Sequence, residues 1–320
     1  MDQSSVTLER MRCFVRVVER VSLSAVAREL GIGQSTVTRQ LRELEAALGI
    51  RLISRTTRRL AVTDEGRRYY ADCLEILRRV ERAGEAVRDR SSAAEGRIRI
   101  SCTAALGVLH VTRLVFAFQD RHPGIEIDLG LTDERIDLVR EGVDLALRLG
   151  PLADSALRLR TLGQSGRLLV AAPGYLAARG RPRVPEDLAE HEGVRMTNVA
   201  GSDTLVLAGP DGARHAVAFG GRLRVDHGLA AREAFVAGRG IGPTHHWLVA
   251  DHLAAGRLEQ VLPEYRLSAV PLSLLIVPER AEIGRVRLLV DYLAASVATI
   301  PGIVTPRPGP AARLATTPLS

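Results

Sequence analysis

The chain has 320 residues, 46% hydrophobic and 25% charged, the balance of a globular protein with more than one domain rather than of a disordered one. Its formal charge is +7 and all 44 basic residues are arginine, whose planar fork suits phosphates and guanine edges. Three scattered cysteines, Cys13, Cys73 and Cys102, exclude a disulfide framework and a cysteine zinc site, and fit a reducing compartment. The best apolar run, Leu288 to Ile300, is too short for a membrane span and carries Asp291. Met1-Asp2-Gln3-Ser4-Ser5 lacks the basic start and apolar stretch of a secretion signal, so a cytoplasmic location is expected. A basic balance does not by itself point to nucleic acid; its distribution decides.

Residues 1 to about 65 read as short helices broken by glycine. The first runs from about Leu8 to Glu19, with Leu8, Met11, Val15 and Val18 on one face. Ser24 is placed as the N-cap of a short second helix that buries Val26, Ala27 and Leu30. Gly31-Ile32-Gly33 then turns the chain, and a third helix runs from Gln34 to Leu48. At about 100° per residue, Val37, Leu41, Leu44 and Leu48 make its inner stripe. The opposite face carries Ser35, Arg39 and Arg42, flanked by Thr36 and Thr38, with Gln34 at the N-terminus. Short helix, glycine turn and longer helix is the arrangement that sets such a face into a major groove, so these six residues and Ser24 are candidate DNA contacts. Between Glu45 and Asp64 there is no acid, but Arg51, Arg55, Arg58 and Arg59 are present. The run Ser54 to Arg59 reads as a hairpin wing whose Arg55, Thr57, Arg58 and Arg59 hold phosphates or a minor groove. Alone, such a run reads equally well as a solvated face; the neighbouring third helix turns the reading toward DNA.

These residues resemble the LysR-type transcriptional regulators. The match is carried by Phe14, Ser22-Leu23-Ser24-Ala25-Val26-Ala27, Leu30, Gln34-Ser35-Thr36-Val37-Thr38, Leu44-Glu45, Leu48-Gly49, Leu52, Arg55 and Thr63-Asp64-Glu65-Gly66. Leu23 stands where an aromatic is common in that family, and Gly33 where a serine or threonine often caps the third helix; glycine is an acceptable cap. The resemblance implies a winged helix-turn-helix whose third helix reads DNA.

Residues 66 to about 92 form one long polar helix. Tyr70, Cys73, Leu77, Val80, Gly84 and Val87 alternate in spacings of three and four, a heptad seam of under four heptads. Packing of this seam against its own domain is the alternative. In the resembled family the helix pairs two subunits, which implies an imperfect palindrome as target.

From Arg97 onward, β-like runs alternate with helical ones, as in an α/β sheet. Arg97 to Ser101, Ile125 to Leu131 and Asp144 to Leu149 read as strands of a βαβαβ unit. The intervening helix carries Leu106, Leu109, Leu114, Val115 and Phe118 and is stopped by His122-Pro123-Gly124. Arg167 to Ala172 opens a second set, with a helix from Gly228 to Ala237, a late strand from Leu272 to Val277 and a last helix from about Ile283 to Val297. Looser family matches continue here: Gly96 to Ile100, Glu141 to Gly150, Pro173-Gly174-Tyr175-Leu176, Gly238 to Gly242 and Gly256-Arg257-Leu258. They imply two Rossmann-like subdomains around a small-molecule cleft, as in periplasmic binding proteins, hinged near residues 162–168 and 266–271.

Ligands of α/β sheets sit at the carboxyl ends of strands, where helix N-termini point free N–H groups at anions. Ser101, Thr103 and Thr132 hold such places, and the resembled family uses hydroxyls there. Arg148, Thr197, His227 and Thr244 are further candidates from strand or helix ends, although hydroxyls at these places also serve as plain helix caps. An enzyme reading lacks a constellation. Gly238-Arg239-Gly240-Ile241-Gly242 is not a dinucleotide loop, Gly163-Gln164-Ser165-Gly166 misses a nucleophile elbow by one residue, and His245, His246 and His252 have no metal-ligand frame. Eleven aromatics disfavour readers built on base stacking.

The expected architecture is therefore α/β multidomain. It has an N-terminal winged helix-turn-helix over 1–65, a long linker helix over 66–93 and a two-subdomain effector domain over 94–300. Subdomain I takes about 94–165 and 270–300, subdomain II about 166–269, and a proline-rich disordered tail covers 301–320. Expected partners are double-stranded promoter DNA, a second copy (a homodimer, and by resemblance a homotetramer), a small-molecule effector and RNA polymerase, with no cofactor, metal or membrane. A binding or transport-type module whose first helices serve only protein contacts is the alternative from another class.

Overall fold

A computed structural model describes residues 6–56, 59–88, 95–151, 157–199 and 201–305. The chain divides into two compact units, one built on Met1–Ser91 and the other on the chain beyond it.

The first unit holds α1 (Leu8–Arg20), α2 (Leu23–Leu30), α3 (Gln34–Leu48), the strands β1 (Ile53–Thr56) and β2 (Arg59–Val62), and α4 (Asp64–Arg88). Met11, Phe14, Val17, Val26, Val37, Leu41, Leu44 and Leu52 make its core. The inner stripe of α1 is thus rotated from the expected one: Leu8 is exposed and Val18 only half-buried, because α1 packs on both α3 and α4. Leu30 is also exposed, at the end of α2 where Gly31 turns left-handed. The N-cap of α2 is Ser22, not Ser24. Val21 already leaves the first helix with φ 50°, so the chain re-enters a helix at Leu23, and Ser22 Oγ accepts from Ala25 N at 3.3 Å. Ser24 is exposed, its Oγ 3.1 Å from that of Ser22.

The expected seam of α4 is corrected as well. Cys73 and Leu77 are buried in the core of their own unit, with Tyr70 packed against it, because this part of α4 lies along α1. A side chain that fills its own core cannot also face a partner, so the packing alternative holds for these three. Among the described residues of α4, the apolar ones left outward are Ile76 and Val80, each 37% exposed and one turn apart. The side chain of Val87 lies outside the described residues.

In the second unit, β3 (Gly96–Cys102) leads into a helix of three parts: α5 (Ala104–Leu106), a π segment (Gly107–Val111) and α6 (Thr112–Arg121). β4 (Ile125–Leu131), α7 (Leu138–Glu141), β5 (Leu145–Leu149) and β6 (Arg158–Ser165) follow. Next come β7 (Arg167–Ala171), α8 (Pro173–Arg179), β8 (Val194–Met196), β9 (Thr204–Ala208), β10 (Arg214–Ala218), β11 (Leu223–Val225) and α9 (Gly228–Val236). The chain continues through β12 (Gly242–His245), α10 (His246–Ala254), β13 (Glu259–Val261), β14 (Arg266–Leu267), β15 (Val270–Ile276), α11 (Gly284–Ser296) and β16 (Ile303–Val304).

One six-stranded sheet runs β16-β6-β15-β5-β3-β4, with β3 parallel to both β4 and β5, the pairing of a βαβαβ unit. The chain leaves it after Ser165 and returns at Val270. Between those points lie the sheets β12-β7-β13 and β10-β9-β14 and the parallel pair β11-β8. β6 is absent from the sequence expectation because its alternation is inverted: Arg158 and Arg160 are half-buried and pair with Glu282 and Asp291, each at 2.8 Å, while Leu159 between them is exposed. The ordered chain also runs past residue 300, where the tail was expected to begin. Ile303 and Val304 pair with Ser165 and Gln164 of β6, and the pairing is so close at Gly163 that an added Cβ would lie 2.8 Å from Val304 O. Residues 306–320 lie outside the described residues.

Candidate nucleic-acid interface and ligand cleft

The outer face of α3 starts at Gly33, whose cap makes no side-chain hydrogen bond. Gln34, Ser35, Arg39 and Arg42 are exposed, Thr36 and Thr38 half-buried, and the structure brings Gln34, Ser35, Thr38, Arg39 and Arg42 together around one shallow concavity. A sixth lining residue, Glu43, was not expected from the sequence. Two buttresses hold this helix. Gln40 Nε2 donates to Glu9 Oε1 and Arg10 to Glu43 Oε2, each at 2.5 Å, and both ties run to α1.

At the far end of α3, Glu45 Oε1 accepts from Leu52 N at 2.8 Å and Ile53 N at 2.9 Å, which fixes the first strand of the hairpin to α3. That is a physical role for the Leu44-Glu45 signature. β1 and β2 pair antiparallel from Ile53↔Val62 to Thr56↔Arg59, so the expected hairpin is present, with Arg55 and Arg59 on its strands. Thr57 and Arg58, at its tip, lie outside the described residues.

In the second unit, Ser101, Thr103, Thr132 and Arg148 sit at or just beyond the carboxyl ends of three adjacent parallel strands, β3, β4 and β5. Arg148 donates to Ser101 Oγ at 2.7 Å and to its neighbour's carbonyl, Leu147 O, at 3.1 Å. Burial lowers the pKa of this guanidinium and pushes the adjoining Cys102 thiol up to about 12. Thr132 Oγ1 accepts from Glu134 N at 3.1 Å in a local turn. The sequence reading missed Asp133, which accepts the Ala104 N–H at 3.0 Å and so occupies the start of α5. Its only sequence signal is a Thr-Asp pair at a strand end.

Across from them, Thr197 and His227 follow the carboxyl ends of the parallel strands β8 and β11. Thr197 Oγ1 donates to Val225 O at 3.3 Å, and His227 Nδ1 accepts from Leu229 N at 3.2 Å as the N-cap of α9. The next residue, Gly228, lies so near α5 that an added Cβ would be 3.1 Å from Ala105 Cβ. The starts of α5 and α9 therefore face each other. Thr244 is buried within β12, opposite Leu168, and its hydroxyl has no hydrogen-bond partner among the described residues.

Where the chain crosses between sheets, Trp247 Nε1 donates to Ser165 Oγ at 3.0 Å, and the same oxygen shares a hydrogen bond of 2.8 Å with His245 Nδ1. This Ser–His pair does not make a nucleophile: Ser165 is fully buried and its oxygen is already engaged by the indole. The His245 ring stacks on Trp247. Burial first, and then the Arg167 cation, push the His245 pKa down to about 3. Unfolded histidine titrates near 6.5, so the unfolded chain carries the extra proton at lower pH. Stability from this site is whole above about pH 6.5 and falls as pH drops toward 3, by up to about 1.4 kcal/mol per pH unit. Denaturant unfolding of the second unit at pH 7 and pH 5.5 should show that loss in the native chain and much less of it in His245→Gln; equal losses would show that another group carries it.

A helix-turn-helix with a hairpin wing, joined in one chain to a two-part α/β domain that gathers hydroxyls, an arginine and a histidine at its strand ends, is the build of a ligand-responsive DNA-binding regulator. The profile described as "Bacterial regulatory helix-turn-helix protein, lysR family" matches residues 8–67, and "LysR substrate binding domain" matches residues 91–298. The chain is 33% identical over 288 residues to the HTH-type transcriptional regulator PtxR of Pseudomonas aeruginosa, covering 90% of this chain and 92% of that one. The full-length structure of AphB, a virulence activator of Vibrio cholerae, superposes with TM-score 0.64 at 29% identity, over 91% of this chain and 99% of that one. CrgA of Neisseria meningitidis, a LysR-type transcriptional regulator, gives TM-score 0.59 at 29% identity, again over 91% and 99%. The chain belongs to the LysR family: it is a LysR-type transcriptional regulator with a helix-turn-helix DNA-binding domain and an effector-binding domain.

Proposed function

We propose that α3 enters the major groove of a promoter, with Gln34, Ser35, Thr36, Thr38, Arg39 and Arg42 at base edges and nearby phosphates, Ser24 beside them, and Arg55, Thr57, Arg58 and Arg59 of the wing on the backbone. The observation that carries this reading is the exposed polar and cationic face of α3, held by ties to α1 and to the hairpin. Two copies pair through the outward residues of α4, Ile76 and Val80, so that two reading helices meet the halves of an imperfect palindrome, and pairs assemble further into a homotetramer. The regulator works in the cytoplasm, on the nucleoid, without catalysing a reaction, and acts on RNA polymerase. A small, anionic metabolite is the effector, bound between Ser101, Thr103, Thr132 and Arg148 on one side and Thr197 and His227 on the other, with Thr244 a more distant candidate. Its binding shifts the cleft and thereby the arrangement of the DNA-bound subunits. No cofactor beyond that effector is assigned.

The test is an anisotropy titration of the full chain against the duplex upstream of its own gene and a scrambled duplex, at about 150 mM salt. Tight binding to the first and weak binding to the second is expected. Arg39→Ala should then cost about 1–3 kcal/mol of that discrimination. Equal weakening of both duplexes would remove Arg39 from base reading.

A further inference from the structure

Among the residues lining the reading face of α3, Gln34, Ser35 and Thr38 are neutral hydrogen-bonding groups and Arg39 and Arg42 are cations; Glu43 is the one carboxylate. A carboxylate on a DNA-facing surface repels phosphates, so it lowers affinity for every duplex unless it discriminates between them. The other acid of α3, Glu45, is turned to Leu52 N and Ile53 N and has a structural task. Glu43 holds no backbone group of the hairpin; its tie is to Arg10 of α1. It is held by two cations. Arg10 of α1, 22% exposed, donates to Oε2 at 2.5 Å and is a firm brace. Arg39, one turn back on α3 and 70% exposed, stands with Nε 3.9 Å from Oε1 and is a loose tether.

The two distances divide the roles. The brace keeps the carboxylate in place, and the pair through Nε leaves the two Nη groups of Arg39 outside it. Swinging Arg39 to a phosphate breaks that pair and swaps one anion for another, so it gains little. Meeting a guanine edge with the two Nη groups keeps Nε beside Glu43 and gains two aligned acceptors, O6 and N7, that a fork-shaped donor matches. We propose that Glu43 is a specificity-determining residue: braced by Arg10, it tethers Arg39 away from phosphates and sets how much more tightly the chain binds its target than random duplex. This rests on the reading of α3 as the DNA-reading helix.

The experiment uses the full chain, a duplex that the wild type enriches from a randomised pool, and a scrambled duplex. Glu43→Gln keeps the shape and removes the charge. It should bind the scrambled duplex about 5-fold more tightly and steepen the slope of log K against log salt by about 0.9, the signature of one more phosphate contact. The enriched duplex should change by less than about 2-fold, so the specificity ratio falls about 5-fold. In an Arg39→Gln background, Glu43→Gln should lose most of its effect, because the carboxylate acts through that side chain. An equal gain on both duplexes, a full gain that persists without Arg39, or a loss confined to one base pair of the enriched duplex would each overturn the proposal. Unchanged thermal midpoints separate these readouts from folding. A pool from which the wild type enriches nothing would instead fail the reading of α3 itself, and Glu43 with it.

Discussion

Gly66→Ala is expected to cost the DNA-binding unit about 3 kcal/mol even though alanine is the better helix former by about 1 kcal/mol. The added Cβ would lie 2.2 Å from Leu52 O and 2.9 Å from a methyl of Val62. The first of these is backbone and cannot rotate away. Leu52 is fully buried, its N–H is held by Glu45, and its carbonyl accepts from Thr63 N at 3.0 Å. Thr63 Oγ1 in turn donates to Arg51 O at 2.8 Å and accepts from Gly66 N at 2.9 Å, closing the start of α4 onto the same stretch. To admit a methyl group, α4 must back away from the chain between α3 and the hairpin, and those hydrogen bonds go with it. At the usual scale for a domain of this size, the loss lowers the thermal midpoint of the first unit by about 10 °C or more. Calorimetry of the full chain checks this. Gly174→Ala in α8, where an added Cβ meets nothing within 4 Å, is the control and should be neutral or slightly stabilising. A Gly66→Ala midpoint as high as wild type would mean that the packing of α4 on Leu52 is slack.

Asp144→Ala should destabilise the second unit by about 3–5 kcal/mol, the range for removing one member of a buried ion pair. The Asp144 carboxylate accepts from Arg99 N at 2.8 Å through Oδ2 and meets Arg280 Nε at 2.8 Å through Oδ1, with both side chains almost wholly enclosed. Its own N–H donates to Arg99 O at 2.9 Å, and its carbonyl accepts from Val277 N at 3.1 Å. One residue thus joins the start of β5 to β3 and to the end of β15. Asp144→Asn keeps an acceptor for the Arg99 N–H but not the charge opposite Arg280, so a loss of about 1–3 kcal/mol is expected. Denaturant midpoints of the three proteins give the ranking. If the asparagine variant were as unstable as the alanine one, the charge opposite Arg280 rather than the backbone bond would dominate. If both matched wild type, the pair would contribute nothing.

Asp144 also shows how a sequence signature becomes intelligible. The run Asp144 to Leu149 reads in the sequence as a strand, and Glu141 to Gly150 as a family resemblance, but neither reading says why an acid stands there. The reason is Arg280, 136 positions later. Thr63-Asp64-Glu65-Gly66 and Leu44-Glu45 behave in the same way: each is visible as a pattern, and each has its cause in a backbone group on another element.

Errors in the sequence reading follow the same division. The seam of α4 was periodic as expected, yet periodicity marks only that a helix has an apolar stripe. Whether that stripe fills its own core or meets a second copy depends on where α1 lies, and Cys73 and Leu77 went inward. Ser22 and Ser24 are equally good caps by composition, and the left-handed Val21 decided between them. β6 escaped notice because its arginines are satisfied by acids more than 120 positions away.

Properties that depend on spacing along one helix or strand were determined by the sequence alone. These are the bounds of α3, its inner stripe of Val37, Leu41 and Leu44, its outer face of Gln34, Ser35, Arg39 and Arg42, the hairpin after it, and the strands β3, β4 and β5 within a residue or two. Helical and strand periods are local, so they can be read from neighbours in the chain. The tertiary structure alone decided that Glu43 stands braced by Arg10, that Asp133 closes the start of α5, that Gly228 abuts Ala105, and that the chain past residue 300 pairs with β6. Each of these joins groups far apart in sequence, and such a contact is set by the packing of whole elements, which no local period encodes.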